Sequence, residues 1–205
     1  MSSRREHWDS VYASKSEAEL SWTQADPALS LSLIEEVCQA GGRVIDIGGG
    51  TSPLAARLLD RGYSAAVLDI SETALHKARQ HLGPRAEQIR WIAADVTAHP
   101  GLGAFDVWHD RAVFHFLTRA TDRASYVELL SQTIAAGGHA IIVTFALDGP
   151  ERCSGLPVCR YDGRSLAAAL GPGFAFVKAV PEIHHTPWGA SQSFQYGVFK
   201  RGKGS

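Results

Sequence analysis

Apolar and polar positions along the chain follow two alternating patterns, which predict a parallel sheet flanked by helices. Short apolar runs of strand length alternate with amphipathic segments, most of which begin near a capping residue or proline and end at glycine. The predicted strands are 43–48, 64–70, 89–96, 104–110, 139–147, 174–185 and 191–201. The predicted helices are 26–40, 53–62, 71–83, 121–138 and 164–171. The fold class that follows is α/β.

The regular alternation breaks after the fifth strand. Residues 148–163, with the sequence DGPERCSGLPVCRYDG, are rich in turn formers and too long for a simple connector. No internal repeat or low-complexity linker interrupts the chain, and its 205 residues suit one core. We therefore expect a single domain over 1–205, with N-terminal helices over 1–40 covering the site and a substrate-side loop over 148–163.

Composition and charge limit the kinds of molecule that the protein is expected to bind. No apolar run is long enough to span a membrane, and the N-terminal MSSRREHWDS has no apolar core of the secretory type. Three cysteines without an export signal favour a reduced, cytoplasmic setting. The net charge is −1, and the one basic cluster is the tail KRGKGS. We expect neither nucleic acid nor membrane as a partner, and a monomer or homodimer.

The stretch RVIDIGGGTSPLAARLLDRG joins the first strand to a helix through glycines. Bare backbone N–H groups at the carboxyl edge of a sheet form a common ligand site. The dinucleotide fingerprint requires a third glycine, but Pro53 stands there, with Ser52 as the expected helix cap. A triphosphate-binding loop is also excluded, because no Gly-Lys-Ser/Thr follows.

Acidic residues accompany three consecutive strands at the same predicted edge. Asp46 precedes the glycines by two positions, Asp69 ends the next strand, and Asp95 ends the third. A carboxylate at the end of the second strand can accept hydrogen bonds from both ribose hydroxyls. Three acids at one edge repel each other unless a hydroxyl-rich or cationic ligand offsets them. The pattern predicts an adenosine-type ligand.

These motifs resemble those of the class I S-adenosylmethionine-dependent methyltransferases. VIDIGGGTS is similar to their first motif, VLDIS to their second and AADVT to their third, and the resemblance runs from about Trp8 to the end. It implies a Rossmann-like, mostly parallel seven-stranded sheet of order 3-2-1-4-5-7-6, with helices on both faces and an antiparallel last strand. It also implies the cofactor S-adenosyl-L-methionine and the product S-adenosyl-L-homocysteine.

The resemblance assigns roles to the residues that match these motifs. The candidate cofactor-binding residues are Asp46, Gly48 and Gly50 at the methionine part, Asp69 at the ribose, and Ile70, Asp95 and Val96 at the adenine. Trp22 joins this set as part of an aromatic cover with Trp8, Tyr12 and Trp188. These aromatics suit cation–π attraction to a sulfonium, and equally suit hydrophobic anchoring of the N-terminal segment.

The segment DVWHDRAVFHFL ends the fourth strand, whose edge faces the methyl group in such a fold. It lacks the Asn/Asp-Pro-Pro-aromatic motif of base methylases. Its Asp-Arg-Ala step, with YVELLSQTIAAGG, resembles the thiopurine and small-thiol methyltransferases. The opening EHWDSVYASKSEAELSWTQADPALSLSLIEE is also similar to a branch that includes protein-lysine methyltransferases, which usually have Asp-Lys-Gly instead. A small thiol is the preferred acceptor, with lysine methylation or non-catalytic cofactor binding as alternatives.

Catalysis requires an aligned and deprotonated acceptor, and histidine is the natural base near neutral pH. We predict His115 as the base and His109 as a second candidate, each with the alternative of a hydrogen-bonded structural role. Asp110 is expected to orient a ring N–H or to hold Arg111, which completes the catalytic set.

The wall around the acceptor is expected to come from the 148–163 loop and the turn after the sixth strand. The candidate substrate residues are Cys153, Arg160, Tyr161, His185 and Trp188. No metal site is predicted, because Cys153 and Cys159 are six positions apart rather than at zinc-knuckle spacing.

Overall fold

The computed structural model describes residues 3–202, so residues 1–2 and the end of the basic tail, 203–205, lie outside the described residues. The helices are α1 (Arg4–Ser14), α2 (Ala28–Val37), α3 (Leu54–Asp60), α4 (Glu72–Leu82), α5 (Ala120–Thr133) and α6 (Gly163–Leu170). The strands are β1 (Arg43–Ile47), β2 (Ser64–Asp69), β3 (Arg90–Ala93), β4 (Phe105–Arg111), β5 (Ile134–Phe145), β6 (Arg152–Cys153), β7 (Leu156–Pro157), β8 (Phe174–His185) and β9 (Ser191–Arg201).

Seven of the strands form one sheet in the order β3-β2-β1-β4-β5-β9-β8. The first five are parallel, whereas β9 runs antiparallel to both β5 and β8. The short β6 and β7 pair only with each other, so the predicted sixth and seventh strands are β8 and β9. The predicted Rossmann-like fold and strand order are therefore confirmed.

Helices cover both faces of the sheet because its central strands are apolar on both sides. On one face, α2, α3 and α4 contribute buried leucines and isoleucine to the core: Leu31, Leu33, Ile34, Leu54, Leu58 and Leu75. On the other face, α5 and α6 contribute Tyr126, Leu129, Leu130, Leu166 and Leu170. None of the helices among residues 3–202 is long and apolar enough to cross a membrane.

The end of α5 differs from the predicted helix over 121–138. The helix stops at Thr133, and β5 begins at Ile134, which pairs with Phe105 of β4. Gly137 has a φ of 81°, and a Cβ on Gly138 would lie 2.7 Å from the Asp106 carbonyl oxygen. These glycines let the chain pass close to β4 in an extended conformation, which local helical periodicity does not reveal.

Candidate functional site

A cavity lies at the carboxyl edge of β1, β2 and β4. It encloses about 870 Å³ of empty space, part of it open to solvent. One end, the Asp69 half, is lined by Arg4, Gly48, Asp69, Ile70, Asp95 and Val96. The other end, the Arg111 half, is lined by Ser21, Trp22, Arg111, His115, Phe116, Phe145, Cys153, Gln192 and Phe194. A neighbouring cavity, the Asp46 cavity, shares Tyr12, Trp22, Gly48 and Arg111 with it and is also lined by Asp46 and His109.

The glycine turn after β1 brings the backbone close to its neighbours at this edge. Gly48 has a φ of 65°, and a Cβ there would lie 2.1 Å from Val113 Cγ2. Gly50 has a φ of 47°, and a Cβ there would lie 2.5 Å from the Tyr12 hydroxyl oxygen. Both positions therefore require glycine for conformation and for space.

Asp69 ends β2 with its side chain buried in the wall of the cavity, where the residue is only 5% exposed. Its Oδ1 accepts a hydrogen bond of 2.8 Å from the Ser71 backbone N–H. Burial raises the pKa of the Asp69 carboxyl to about 7, although backbone hydrogen bonds from Ser71 and Gly50 oppose the rise. A neighbouring ligand that donates hydroxyl hydrogen bonds would stabilise the charged form of this carboxylate.

Asp95 caps the short turn after β3 and helps to hold α1 over the site. Its Oδ1 accepts hydrogen bonds from the Thr97 backbone N–H at 2.8 Å and the Thr97 hydroxyl at 2.7 Å. Arg4 of α1 lies 3.5 Å from Asp95 Oδ2 and also pairs with Asp122. Sequence patterns gave no sign that Arg4 reaches this edge of the sheet.

The aromatic side chains Trp8, Tyr12 and Trp22 all line the cavity, as the sequence predicts. Trp8 makes edge-to-face contacts with Trp22 and Phe116, with ring centroids 5.7 and 5.0 Å apart. Such contacts fasten α1 and the following segment across the cavity. Trp188 is not among them, because it lies 58% exposed in the turn between β8 and β9.

Asp46 and His109 form a buried pair between β1 and β4. Asp46 Oδ1 lies 2.7 Å from His109 Nδ1, and His109 Nε2 lies 3.0 Å from the Ser30 hydroxyl of α2. His109 thus lines the Asp46 cavity and lies outside the lining of the Arg111 half. The contact with Ser30 of α2 matches the hydrogen-bonded structural alternative for His109, and its catalytic role stays a prediction.

Arg111, the last residue of β4, places a buried guanidinium in the cavity wall. Nη1 donates a 2.9 Å hydrogen bond to the Trp22 carbonyl oxygen, and the group lies 4.6 Å from the Phe194 ring centroid. Nη2 lies 3.6 Å from Glu182 Oε2, which is beyond hydrogen-bond distance. Among the described residues, Nε and Nη2 have no hydrogen-bond partner.

The next residue, Ala112, has a φ of 74°, a strained conformation that marks this turn.

His115 is fully buried and also lines the Arg111 half. Its Nδ1 accepts a 3.4 Å hydrogen bond from the Phe145 backbone N–H, so the neutral ring carries its proton on Nε2. That Nε2 has no partner among residues 3–202. Burial, and then the Arg111 charge, lower the pKa of His115 to about 3. A histidine with so low a pKa takes few protons near pH 7, so the role of base stays a prediction that the structure does not favour.

Asp110 has a structural role, and this corrects its predicted catalytic one. Its carboxylate accepts hydrogen bonds from the Val113 and Phe114 backbone N–H groups at 2.8 and 3.1 Å. The Tyr126 hydroxyl donates a third, at 2.6 Å. Burial raises the pKa of Asp110 to about 6. The side chain fixes the turn after β4 and contacts neither a histidine ring nor Arg111 through any of these bonds.

The 148–163 loop places only one of its three predicted residues at the cavity. Cys153 lines the Arg111 half, and burial raises the pKa of its thiol to about 11. Arg160 instead donates to the Gly149 carbonyl at 3.1 Å, and Tyr161 packs 5.5 Å from the Phe114 ring. These side chains hold the loop to itself and to the core and do not line the cavity, so their predicted substrate contacts stay predictions that this geometry does not favour.

The turn after β8 does not reach the cavity either. His185 and Trp188 are exposed and absent from its lining, so their predicted substrate contacts stay predictions without support from this geometry. The wall on this side comes from Gln192 and Phe194 of β9, which sequence reasoning missed. The inward alternation of β9 beside β5 was the available signal for Phe194.

Metal ligands do not cluster in the described part of the chain. Among residues 3–202, no group of three His, Cys, Asp or Glu side chains is arranged to hold a metal ion. The three cysteines are free.

Comparison with known proteins gives one matching family model, described as a methyltransferase domain, over residues 44–138. The chain is 26% identical over 142 residues to the 2-heptyl-1-hydroxyquinolin-4(1H)-one methyltransferase of Mycobacteroides abscessus. That match covers 65% of this chain and 62% of the relative, so the chain spans less than two thirds of that protein.

Two solved structures share the fold over most of the chain. The structure described as "Conversion of a Disulfide Bond into a Thioacetal Group during Echinomycin Biosynthesis" has a TM-score of 0.79 and 22% identity, covering 98% of this chain and 94% of that one. The Burkholderia thailandensis 1,6-didemethyltoxoflavin-N1-methyltransferase, solved with S-adenosylhomocysteine, has a TM-score of 0.69 and 19% identity, covering 94% and 81%. The latter holds the product predicted here from the sequence. The chain has the class I methyltransferase fold, and the family model and the relative that it matches are both described as methyltransferases.

Proposed function

We propose that this protein transfers a methyl group from S-adenosyl-L-methionine to a small-molecule acceptor. The observation that carries the proposal is the continuous cavity that joins the Asp69 half to the Arg111 half. A donor held by the carboxylates at one end would meet, at the other end, an enclosed space lined mainly by aromatic and apolar side chains. Enclosed sites that exclude water and align two reactants suit direct group transfer.

The residues of the Asp69 half fit an adenosyl group. The glycine turn keeps the backbone free of side chains, and a Cβ at Gly48 or Gly50 would fill the space between the turn and its neighbours. Asp69 would hold the ribose hydroxyls, and Ile70 and Val96 would contact the adenine beside Asp95. Gly48 lines both cavities, so Asp46 lies on the side where the methionine part would extend. When bound, the cofactor supplies an electrophilic methyl group on a sulfonium.

The electrostatics of the Arg111 half favour a neutral or anionic acceptor over a lysine side chain. A lysine ammonium would enter beside the Arg111 guanidinium, whose side chain is only 11% exposed, and the repulsion between the two positive charges would oppose its binding. A small thiol, the acceptor predicted from the sequence, meets no such penalty in its ionised form. We therefore keep a small thiol as the proposed acceptor and rank lysine below it.

Calorimetry and a turnover assay together test the proposal. The full chain should bind S-adenosylhomocysteine and transfer labelled methyl groups to members of a panel of small thiols and phenols. A lysine-peptide library and protein without acceptor serve as controls. Cofactor binding without transfer to either panel would favour a non-catalytic binding protein, and methylated peptides would favour the lysine alternative. No heat with either form of the cofactor would contradict the proposal.

A further inference from the structure

The Arg111 half contains three hydrogen-bond donors without a partner among the described residues. They are Nε and Nη2 of Arg111 and Nε2 of His115. Buried polar groups in proteins are normally satisfied, and an unpaired donor costs about 1–3 kcal/mol. Both side chains line the same part of the cavity. One acceptor in the same lining, Gln192 Oε1, also has no partner among the described residues, and this excess of donors over acceptors indicates a ligand that brings acceptor atoms.

We infer that the methyl acceptor binds as an anion, with its ionised oxygen or sulfur held by the Arg111 guanidinium and the His115 Nε2–H. This inference rests on the proposed function and specifies its substrate class: compounds with an acidic thiol, phenol or enol. The shared chemistry is an anionic nucleophile attached to an apolar framework.

The charges around Arg111 leave part of its positive charge available. Glu182 of β8 is the nearest carboxylate, at 3.6 Å from Nη2, and it also accepts hydrogen bonds from Gln24 at 3.2 Å and Tyr196 at 3.3 Å. The other titratable groups that face this region are uncharged near neutral pH. Burial and the Arg111 charge lower the pKa values of His115 and His184, while burial raises those of Cys153 and Tyr196. The formal charges of Arg111 and Glu182 balance, so an incoming anion would be favoured by the unpartnered N–H groups of Arg111 rather than by a net charge.

The other residues that line the Arg111 half indicate the chemical character of the rest of the acceptor molecule. They include the aromatic side chains Trp22, Phe116, Phe145 and Phe194, together with Ser21, Cys153 and Gln192. Flat, apolar surfaces of this kind bind aromatic or conjugated frameworks and exclude water from the ionised atom. Low water content strengthens the attraction between that atom and Arg111.

An ionised acceptor also removes the need for a base. The anion carries the electron pair that forms the new bond to the methyl carbon, and the electrons of the broken carbon–sulfur bond stay on the cofactor sulfur. The sulfonium and the anion both become neutral, so no proton has to leave the site. The proton is lost to solvent before the acceptor binds, which agrees with the weak basicity of His115.

The test uses 4-nitrophenol and 4-nitrothiophenol, whose ionised forms absorb visible light, added to the complex of the full chain with S-adenosylhomocysteine. The two probes distinguish an oxygen from a sulfur nucleophile, and 4-nitroanisole is the non-ionisable control. Wild-type protein should lower the apparent pKa of a bound probe by about one unit or more. It should also bind the anion at least tenfold more tightly than 4-nitroanisole.

Two variants should change the affinity for the anionic probe and its pKa shift in opposite directions. Arg111→Gln should weaken anion binding at least tenfold and abolish the pKa shift, whereas Glu182→Gln should strengthen both because Arg111 then loses its nearest counter-charge. Arg61→Gln, which alters an exposed arginine paired with Glu35, is the matched control and should match wild type. Affinity for S-adenosylhomocysteine, measured on every sample, reports whether each variant is folded.

Three outcomes overturn the inference while leaving the proposed function intact. They are anion binding within twofold of wild type in Arg111→Gln, 4-nitroanisole binding as tightly as the anions, and no binding of either anion to the wild-type complex. In each case S-adenosylhomocysteine still binds. Failure of the wild-type chain to bind S-adenosylhomocysteine overturns the proposed function instead.

Discussion

Two buried carboxylates near the carboxyl edge of the sheet have different uses, and their hydrogen bonds explain the difference. The Asp110 carboxylate accepts hydrogen bonds from two backbone N–H groups and the Tyr126 hydroxyl, and these bonds hold the turn after β4 in place. Asp69 lines the cavity and accepts backbone N–H hydrogen bonds from Ser71, at 2.8 Å, and Gly50, but none from a side chain among the described residues. A carboxylate with spare accepting capacity at a cavity is the better candidate for ligand binding.

Asp69→Asn should weaken S-adenosylhomocysteine binding by about 1–3 kcal/mol, because the ribose hydroxyls lose a charged acceptor. Calorimetry measures this change, and Asp60→Asn, at an exposed ion pair with Arg85, is the control. Unchanged affinity in Asp69→Asn would contradict the assignment of this residue to the cofactor.

The same substitution should change stability in a pH-dependent way. The pKa of Asp69 is about 7 in the folded chain against 3.8 ordinarily, so between these values only the folded state holds the proton. The contribution of Asp69 to the free energy of unfolding is therefore largest below about pH 4 and is lost as the pH rises to about 7. Asp69→Asn should raise the melting temperature at pH 8 and have less effect at pH 4. Equal shifts at both pH values would argue against a buried, destabilised carboxylate.

His115→Gln should lower turnover much more than affinity for S-adenosylhomocysteine, because His115 lines the acceptor end of the cavity. With a pKa of about 3, His115 does not titrate between pH 6 and 9. Rate profiles of wild type and variant over that range should therefore have the same shape. An inflection near pH 6.5 in the wild-type rate profile that is absent from the variant's profile would show that His115 acts as the base.

At the scale of elements, the turn between β1 and α3 depends on glycine for two reasons. Gly48→Ala meets both a positive φ and a contact of 2.1 Å with Val113, whereas Gly62→Ala meets a positive φ with nothing within 4 Å. Gly48→Ala should therefore lower the free energy of unfolding by more than the about 1–2 kcal/mol that left-handed backbone alone costs. Denaturant titration compares the two variants, and equal losses would show that space at Gly48 is unimportant.

The sequence predicted the elements well because helix caps and apolar runs are local signals. β8 and β9 have their predicted bounds, and Ser71 caps α4 by accepting a 3.1 Å hydrogen bond from the Ala74 backbone N–H. The start of β5 was missed, since Gly137 and Gly138 are shaped by contact with β4. Pairing partners distant in sequence leave no local pattern.

The site was predicted best where motifs lie on strand ends, although the covering aromatic residues and Cys153 were also predicted. Asp69, Asp95 and Gly48 line the cavity because parallel strands bring their carboxyl ends together. Arg160, Tyr161, His185 and Trp188 do not line it, because loop side chains are oriented by tertiary contacts. Phe116, Phe145 and Gln192 were missed for the same reason, since their packing depends on distant strands.

For the whole molecule, cofactor binding should appear as thermal stabilisation. A ligand that binds only the folded state stabilises it by about 2.7 kcal/mol at 100 times its dissociation constant. In a chain of this size, each kcal/mol raises the melting temperature by about 2–4 °C, so S-adenosylhomocysteine should raise it by about 5–10 °C. Scanning calorimetry measures this, with adenine as a control ligand. No shift at saturation would contradict a cofactor site in the folded chain.

The antiparallel position of β9 has a consequence for how the protein is made. Every residue of the Asp69 half precedes residue 97, whereas Gln192 and Phe194 come from the last strand and lie beyond β5 in the sheet order. A ribosome therefore completes the donor end of the cavity about one hundred residues before the opposite end. A chain terminated before β9 would lack the aromatic ring beside Arg111 and also the buried side chains Tyr196, Val198 and Phe199, so the acceptor end and the core of the sheet depend on the same late segment.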